Sequence, residues 1–320
     1  MIINIKNKSL HLSFRGAILF LVFIISIILG NLYIEGDQKT YIKIYNGIAG
    51  YNITDAYFFY IFNITSIEII HFIIIWVASN LGIDKIIFMA MCNTLLTGLI
   101  IKFFDDMKVN FAITSFFILT NFYLYVLFFA AERLKFGIIF FFLSILYQEK
   151  FYHKISFFLL SILSHLQMLI VYSGKIFTIF LQELKHFLIT FELKWSLLLL
   201  LPIAVVVFLF IQADLFIKIL AYSDNRGWSD FLRILIFLMM ALYYSKSKLN
   251  TFIYFIPLFI AVYFVGGDRV NMIGYMFFLY SALQYRGGFN IGILITTLYF
   301  FYINIDFVRK IILYGNGFNP

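Results

Sequence analysis

Long apolar runs follow one another along almost the whole chain, and this pattern constrains the fold more than any other feature of the sequence. The runs lie near residues 14–34, 57–79, 86–101, 111–131, 136–147, 155–172, 195–211, 231–244, 252–266, 270–283 and 291–305. Because a bilayer-spanning α-helix needs about 20 apolar residues, the pattern predicts about eleven membrane helices. The composition agrees, since 63% of the 320 residues are hydrophobic and 12% are charged, which excludes a water-soluble fold.

The connections between the runs are short, so the sequence predicts a single transmembrane domain, an all-α polytopic bundle over residues 1–320. The first run is too long for the core of a signal peptide and lacks a small-residue cleavage site, which predicts a retained span with a cytoplasmic N-terminus. The runs at 86–101 and 136–147 are short and the stretch 176–193 is amphipathic. These three segments are therefore candidates for re-entrant or interfacial helices.

Basic residues outnumber acidic ones, with 24 Lys and Arg against 16 Asp and Glu, which gives a net charge of +8. In a protein with many spans, this excess is typical of short cytoplasmic loops and does not indicate nucleic acid binding. Counting crossings from the N-terminus places the loop of Lys246 and Lys248 in the cytoplasm. The loops of Arg226 and Arg269 then lie on the opposite side of the membrane.

The same count places Arg133 in the cytoplasm, although the neighbouring loop 148–154 is basic and also favours that side. The two cytoplasmic assignments conflict because one apolar run, which should cross the membrane, lies between Arg133 and the loop. An extra partial crossing before Arg133 and another within residues 176–193 would reconcile the count with the charges.

Several motifs that define well-known chemistries are missing from the sequence. It has no phosphate-binding P-loop, no HExxH, no GxSxG and no strand-linked GxGxxG. It also lacks an Asp-x-Asp pair in a loop, so a metal-dependent transfer from a nucleotide-sugar has no carboxylates to hold the metal. Cys92 is the only cysteine, and no Cys/His spacing of a zinc site occurs. The sequence therefore predicts no metal and no cofactor.

The segment Gly267–Tyr280, GDRVNMIGYMFFLY, has the features of a helix start that binds an anion. Asp268 is a candidate N-cap, and Arg269 beside free backbone N–H groups can bind phosphate or pyrophosphate. The spacing places Asp268, Asn271 and Tyr275 on one helix face with their hydrogen-bonding groups aligned. The structural alternative is a capping Asp with Arg269 anchored at the lipid headgroups.

Arg133 lies at the end of one apolar run and His165 lies inside a later one, and both residues flank the loop 148–154. If these runs form a helical hairpin, the two side chains approach each other at the end away from the loop. An ionisable side chain at membrane depth costs a few kcal/mol and usually faces a cavity or a partner. The structural alternative for His165 is a neutral imidazole that bonds Ser161 or Ser164 across helices.

Thr65, Glu68 and His71 repeat at helical spacing in the second apolar run, so that Glu68 can orient His71. A carboxylate in this setting can serve as a general base or a proton relay. The structural alternative is a satisfied polar cluster between helices.

The loop 212–230 combines aromatic, polar and charged side chains suited to stacking on sugars and bonding their hydroxyls. These side chains are Tyr222, Asp224, Asn225, Arg226 and Trp228. Interfacial Trp and Tyr are also ordinary membrane anchors.

Together these elements resemble the O-antigen polymerases (Wzy-type, including the EpsG-like branch) of bacterial surface polysaccharide assembly. The resemblance rests on Glu68 in the second span, Arg133 followed by LKFGIIFFFLSIL, His165 in SHLQMLI, and the segment GDRVNMIGYMFFLY. It covers most of the chain after about Asp37, but the large periplasmic loop of some members is short here.

The resemblance implies a metal-independent glycosyltransferase with a membrane fold of type C, in the bacterial inner membrane, with its active site facing the periplasm. Its substrates would be undecaprenyl-pyrophosphate-linked oligosaccharide repeat units, joined during lipopolysaccharide biosynthesis. The resemblance also implies two partners, the lipid bilayer and a chain-length regulator protein. Two rival functions stay open, a membrane acyltransferase that modifies surface glycans and a transporter of lipid-linked oligosaccharides.

For the polymerase, the catalytic candidates are Glu68, Arg133 and His165, with Glu68 or His165 as the base. Arg133, Arg226 and Arg269 are candidates to stabilise the leaving pyrophosphate. The candidates for binding pyrophosphate or glycan are Arg226, Trp228, Asp268, Arg269, Asn271 and Tyr275.

Overall fold

The computed structural model describes residues 2–64, 67–191, 228–265 and 267–318, and every regular element in these ranges is helical. The helices are α1 (Ile2–Leu32), α2 (Asp37–Gly47), α3 (Ile53–Ile64), α4 (Ile69–Asn80), α5 (Lys85–Asp106), α6 (Phe111–Thr120), α7 (Phe122–Phe129), α8 (Glu132–Leu146), α9 (Phe151–Ser164), α10 (Met168–Thr190), α11 (Trp228–Tyr244), α12 (Lys248–Val265), α13 (Gly267–Leu283) and α14 (Ile291–Tyr314). The prediction of an all-α protein is confirmed for these residues.

Three stretches of the described chain are long and apolar enough to cross a membrane, namely Ser13–Leu32, Lys85–Asp106 and Arg286–Tyr314. The number rises to five if each of two bent pairs counts as one span. These pairs are α3 with α4, bent by 119°, and α6 with α7, bent by 54°. The chain therefore has the helices of a membrane protein, while the count of about eleven spans stays a prediction.

Polar residues inside the apolar runs explain several helix boundaries. Asn121 lies in the middle of the run at 111–131, and its side chain accepts a hydrogen bond from Leu124 N at 3.2 Å. This N-cap starts α7 and ends α6, because an Asn side chain that bonds the backbone competes with a continuous helix. In the same way, Asp84 accepts from Ile86 N at 2.9 Å and starts α5.

Besides the run at 111–131, three of the predicted runs differ from the helices observed. The run at 57–79 is not one span, because α3 ends at Ile64 and α4 begins at Ile69. The run at 155–172 is interrupted between Ser164 and Met168, where the backbone leaves the helix. The run at 86–101 is not short, since α5 extends it to 22 residues.

The chain divides into two compact units, Met1–Met168 with Arg286–Pro320, and Leu169–Tyr285. The single membrane domain over residues 1–320 stays a prediction. In the first unit, α1 and α5 pack antiparallel. Arg15 forms an ion pair with Asp105 at 2.9 Å near one end, and Gly30 lies against Ile86 near the other.

In the first unit α8 and α9 form the helical hairpin that the sequence predicts. Ser161 Oγ donates to the Gly137 carbonyl at 2.7 Å across the hairpin. A Cβ atom at Gly137 would lie 2.7 Å from Met168 Cγ, at the start of α10, so a larger residue would require the Met168 side chain to shift. The bond from Ser161 joins α8 to α9, and the contact with Met168 packs α8 against the start of α10.

The second unit contains α11, α12 and α13 packed on one another. Phe237 and Tyr275 join α11 to α13, with ring centroids 5.6 Å apart. A Cβ atom at Gly174 in α10 would lie 2.5 Å from Tyr254 Cδ1 in α12, which marks a close contact between those helices. The predicted run at 195–211 lies outside the described residues.

Candidate functional site

Glu68 joins Arg133 and His165 through the two oxygens of its carboxylate. Arg133 Nη1 donates to Glu68 Oε2 at 2.8 Å, and His165 Nδ1 forms a hydrogen bond with Glu68 Oε1. The structure thus brings together the three residues that the sequence predicts as catalytic. The structural alternative, in which His165 bonds Ser161 or Ser164, does not describe the observed side-chain bonds. His165 bonds Glu68, whereas the two serine hydroxyls donate to backbone carbonyls.

Each of these three residues lies at an interruption of the helical backbone. Glu68 immediately precedes α4, and Arg133 is in the first turn of α8, directly after the break between α7 and α8. His165 follows the last residue of α9 with an extended backbone, φ −160° and ψ 121°. Non-helical backbone at membrane depth is tolerated where protein buries it or where it lines a cavity, and broken helices frequently form substrate sites.

Burial differs sharply within this cluster. The side chains of Glu68 and His165 are 1% exposed, whereas that of Arg133 is 18% exposed. A buried carboxylate is tolerated when its oxygens are paired, and both oxygens of Glu68 have partners. Arg133 is therefore the member of the cluster that an approaching ligand can contact.

Tyr41, in α2, is the second partner of Arg133. Arg133 Nε donates to the Tyr41 hydroxyl at 3.1 Å, which fixes one edge of the guanidinium. Burial raises the pKa of Tyr41 above its ordinary value, so the phenol keeps its proton at neutral pH. Arg133 Nη2 makes no hydrogen bond within the described part of the chain, which leaves its N–H groups for another acceptor.

The imidazole of His165 is held at both nitrogens. Nδ1 faces Glu68, and Nε2 lies 3.0 Å from Gln167 Oε1. With an ionised carboxylate at Nδ1, the neutral ring carries its proton on Nδ1 and presents a lone pair at Nε2. A Gln167 amide turned by 180° would donate to that lone pair, so the Gln167 side chain has to move aside before Nε2 can accept a proton.

The prediction that Glu68 orients His71 is wrong. His71 Nδ1 pairs with the Tyr60 hydroxyl at 3.0 Å. Glu68 is the N-cap residue of α4 and its backbone is not helical (φ −82°, ψ 81°), so the helical spacing on which the prediction relied does not hold there. His71 Nε2 is buried without a hydrogen-bond partner among the described residues. Thr65, the third residue of that predicted face, lies outside the described residues.

A second polar cluster adjoins the first and shares the first turn of α8 with it. Lys85 Nζ donates to Glu132 Oε1 at 2.6 Å and to Gln38 Oε1 at 2.7 Å. Gln38 in turn donates to the Phe129 carbonyl at the end of α7. Glu132 is buried, with 3% of its side chain exposed.

Lys135 completes the second cluster from one turn further along α8. Its ammonium group is fully buried and donates to Asn93 Oδ1 at 2.7 Å and to the Phe128 carbonyl at 3.1 Å. Asn93 also donates to Ser26 Oγ at 3.0 Å. A small pocket lies beside these groups and is lined in part by Ser26, Lys85 and Glu132.

Sequence reasoning did not identify the second cluster or the side-chain partners of the first. The residues missed are Gln38, Tyr41, Lys85, Asn93, Glu132, Lys135 and Gln167. The segment ERLK, residues 132–135, carried a usable signal, because three ionisable residues interrupt an otherwise apolar stretch. The other positions have no such local signal.

The residues predicted to bind substrate in the second unit have different positions from those expected. Helix α13 begins at Gly267, so Asp268 lies in its first turn and is not the N-cap residue. Arg269, also in this turn, is partly exposed. Trp228, the first residue of α11, is 84% exposed, and Arg226 lies outside the described residues.

Asn271 and Tyr275 are buried in the contact between α13 and α11. Asn271 Nδ2 donates to Asp230 Oδ1 at 3.3 Å, and Tyr275 is 1% exposed beside Phe237. The predicted face is present, since both residues lie on it, but it packs on a neighbouring helix. These two side chains therefore stabilise the second unit and do not form an open binding surface.

Within the described ranges, no group of three or more His, Cys, Asp and Glu side chains is arranged to hold a metal ion. Comparison with known proteins gives no further guide: no family model, no curated protein and no solved structure matches this chain.

Proposed function

We propose that this protein is an inner-membrane polysaccharide polymerase that transfers a growing glycan from a lipid pyrophosphate to a hydroxyl of the next lipid-linked repeat unit. One observation carries the proposal: Glu68 is held between Arg133 and His165 where three helix breaks meet. The arrangement supplies a cation for the leaving group and an oriented base for the acceptor, which are the two groups that this transfer needs.

Arg133 is proposed to stabilise the pyrophosphate. It is the partly exposed member of the cluster, and its Nη2 donors face no acceptor among the described residues. A guanidinium is planar and binds phosphate oxygens in a fixed two-point geometry, which a lysine cannot reproduce. Charge that develops on the departing pyrophosphate is stabilised by donors that are already in place.

His165 is proposed to be the base, with Glu68 as the residue that positions it. The acceptor hydroxyl oxygen forms a bond to the anomeric carbon while the bond from that carbon to the pyrophosphate oxygen breaks. The hydroxyl proton passes to His165 Nε2, and the electron pair of the broken bond leaves with the pyrophosphate. Glu68 on Nδ1 fixes the tautomer and offsets the charge that the ring gains.

The finer parts of the proposal rest on the resemblance to the O-antigen polymerases. They are the bundle of about eleven spans with a glycosyltransferase fold of type C, the undecaprenyl carrier, the periplasmic active site and the chain-length regulator. Arg226 and Arg269 remain candidates for contacts with phosphate or glycan. Functional residues of that family are assigned to this chain only at Glu68, Arg133, His165 and the Gly267–Tyr280 segment.

Reconstitution with a lipid-linked repeat unit tests this proposal. The purified protein in liposomes should convert the substrate into a ladder of glycans on a gel, with release of lipid pyrophosphate. His165→Gln, which is close in size to His165 and lacks the basic ring nitrogen, should abolish the ladder. A wild-type protein that is folded and gives no ladder with matched repeat units would exclude the polymerase.

A second function, transport of a lipid-linked oligosaccharide, is favoured by the two bent helix pairs. Broken helices near the middle of the membrane are a recurring feature of transporters, and buried charges often line their pathways. The same liposomes distinguish the two functions. A transporter would move the labelled lipid-linked substrate across the bilayer without forming a new glycosidic bond.

A further inference from the structure

The end of α7 has backbone groups that side chains from other helices satisfy. The last carbonyls of a helix have no partner within it. Here the Phe128 carbonyl accepts from Lys135 Nζ at 3.1 Å, and the Phe129 carbonyl accepts from the Gln38 amide. Both bonds lie directly before the break at residues 130 and 131, where buried alanines offer no polar side chain.

The start of α8 is fixed through the same network. Its N-cap, Ala131, provides no side-chain hydrogen bond, so the first turn depends on other contacts. Glu132 supplies one through Lys85, and Lys85 also bonds Gln38 Oε1. A continuous chain of bonds therefore runs from the Phe129 carbonyl through Gln38 and Lys85 to Glu132, from one side of the break to the other.

We propose that Gln38, Lys85, Asn93, Glu132 and Lys135, the α7–α8 latch, position Arg133 for its contact with Glu68. Glu132 and Arg133 are neighbours in a helical turn, so their side chains leave the helix about 100° apart. Fixing Glu132 on Lys85 sets the rotation of this turn, and Arg133 is then directed towards Glu68. The positioning of Arg133 by the latch is independent of the proposed function, whereas the effect of the latch on catalysis rests on the proposed function.

The burial of Lys135 supports a positioning role. It is fully buried, and both of its hydrogen-bond partners are neutral acceptors. Buried charged groups frequently add less stability than hydrophobic residues of the same volume would. The ammonium group of Lys135, in α8, bonds the last turn of α7 and so fixes the geometry of the break between the two helices. A methionine of similar length has no donor for this bond.

Lys135→Met tests the latch, with Lys310→Met as the matched control. Lys310 belongs to α14 and pairs with Asp306, one turn before it in the same helix, at 2.9 Å. Hydrogen–deuterium exchange is measured in lipid nanodiscs on peptides that cover residues 130–135. We expect exchange there to rise about tenfold in Lys135→Met and to be unchanged in Lys310→Met. Lys135→Arg, which retains a donor, should restore slow exchange.

Gln38→Met provides a second variant if Lys135→Met does not fold, because it removes the bond to the Phe129 carbonyl, the acceptor of Lys85 and the contact with Glu132. Unchanged exchange at residues 130–135 in every folded variant would overturn the latch. This result does not depend on a polymerase assay, so it is distinct from a failure of the proposed function.

The catalytic part of the inference is tested with a double-mutant cycle. In the wild-type background, Lys135→Met should lower the polymerisation rate about tenfold. In the Arg133→Lys background, Lys135→Met should change the rate less than about twofold. The contact of the Arg133 guanidinium with Glu68, which Lys135 helps to position, is already lost in that background. Equal losses in both backgrounds would show that Lys135 acts independently of Arg133.

Discussion

Arg133 Nη1 lies 2.8 Å from Glu68 Oε2, although the two residues are 65 positions apart in the chain. The contact joins the start of α8 to the start of α4, and Glu68 extends it to His165 at the end of α9. Three interrupted helices therefore depend on one carboxylate for both geometry and charge balance.

Glu68→Gln is expected to abolish chain extension while the protein still folds. The amide keeps the size of the side chain and one acceptor oxygen, but it removes the negative charge that orients His165 and balances Arg133. We expect the rate to fall by about 100-fold or more, the range for loss of a general acid–base group. The glycan ladder is the measurement, and Glu149→Gln, on the exposed loop between α8 and α9, is the control. Normal ladders from Glu68→Gln would remove Glu68 from the mechanism.

Tyr41→Phe is expected to weaken catalysis, whereas Tyr45→Phe is not. Both tyrosines belong to α2 and are buried, but Tyr41 accepts from Arg133 Nε whereas Tyr45 donates to the Ile83 carbonyl at 2.9 Å. Each variant loses one hydrogen bond and about 1 kcal/mol of stability. Steady-state rates should fall about tenfold in Tyr41→Phe alone. Equal rates in the two variants would mean that Tyr41 does not position Arg133.

His165→Ala is expected to lower stability as well as activity. From sequence alone, the prediction is loss of activity with near wild-type stability, on the assumption that His165 faces a hydrated cavity. The structure buries this side chain and pairs it with Glu68, so its removal leaves a buried carboxylate oxygen without a partner. We expect a loss of up to about 3 kcal/mol, measured by thermal unfolding in detergent. An unchanged melting temperature would show that water replaces the imidazole.

Gly137→Ala is expected to disturb the contact between α8 and the start of α10. The added Cβ would lie 2.7 Å from Met168 Cγ and 3.4 Å from the Ser161 carbonyl oxygen, so the fully buried Met168 side chain must shift. Overpacking of this kind costs about 1–3 kcal/mol. Gly16→Ala in α1 is the control, because nothing lies within 4 Å of its added Cβ. The melting temperature should fall in the first variant and stay equal or rise slightly in the second.

Labelling of single cysteines, introduced into a Cys92→Ser background, tests on which side of the membrane each loop lies. Trp228→Cys should react with an impermeant maleimide in intact cells, and Ser247→Cys should react only after the membrane is permeabilised. Both positions are exposed in the structure, whereas Asn271 is buried and is unsuitable as a probe. Labelling of Ser247→Cys alone in intact cells would reverse the predicted orientation.

The sequence determined the class of this protein. Apolar runs of spanning length and a low charge content leave helices in a membrane as the available fold, because an unpaired backbone is too costly in hydrocarbon. The rare ionisable residues within those runs or at their ends, Glu68, Arg133 and His165, were identifiable for the same reason, since each needs a partner there. Both inferences depend only on local composition.

Only the tertiary structure decided where the helices break and which side chains meet. Hydropathy averages over about 20 residues, so interruptions of a few residues at Glu68, Ala131 and His165 do not change it. Whether Asn271 faces a cavity or a neighbouring helix was equally hidden, because helical periodicity defines a face but not what covers it. The meeting of Glu68 with His165, and of Lys135 with Asn93, follows from the packing of helices that are distant in sequence, and no local pattern encodes it.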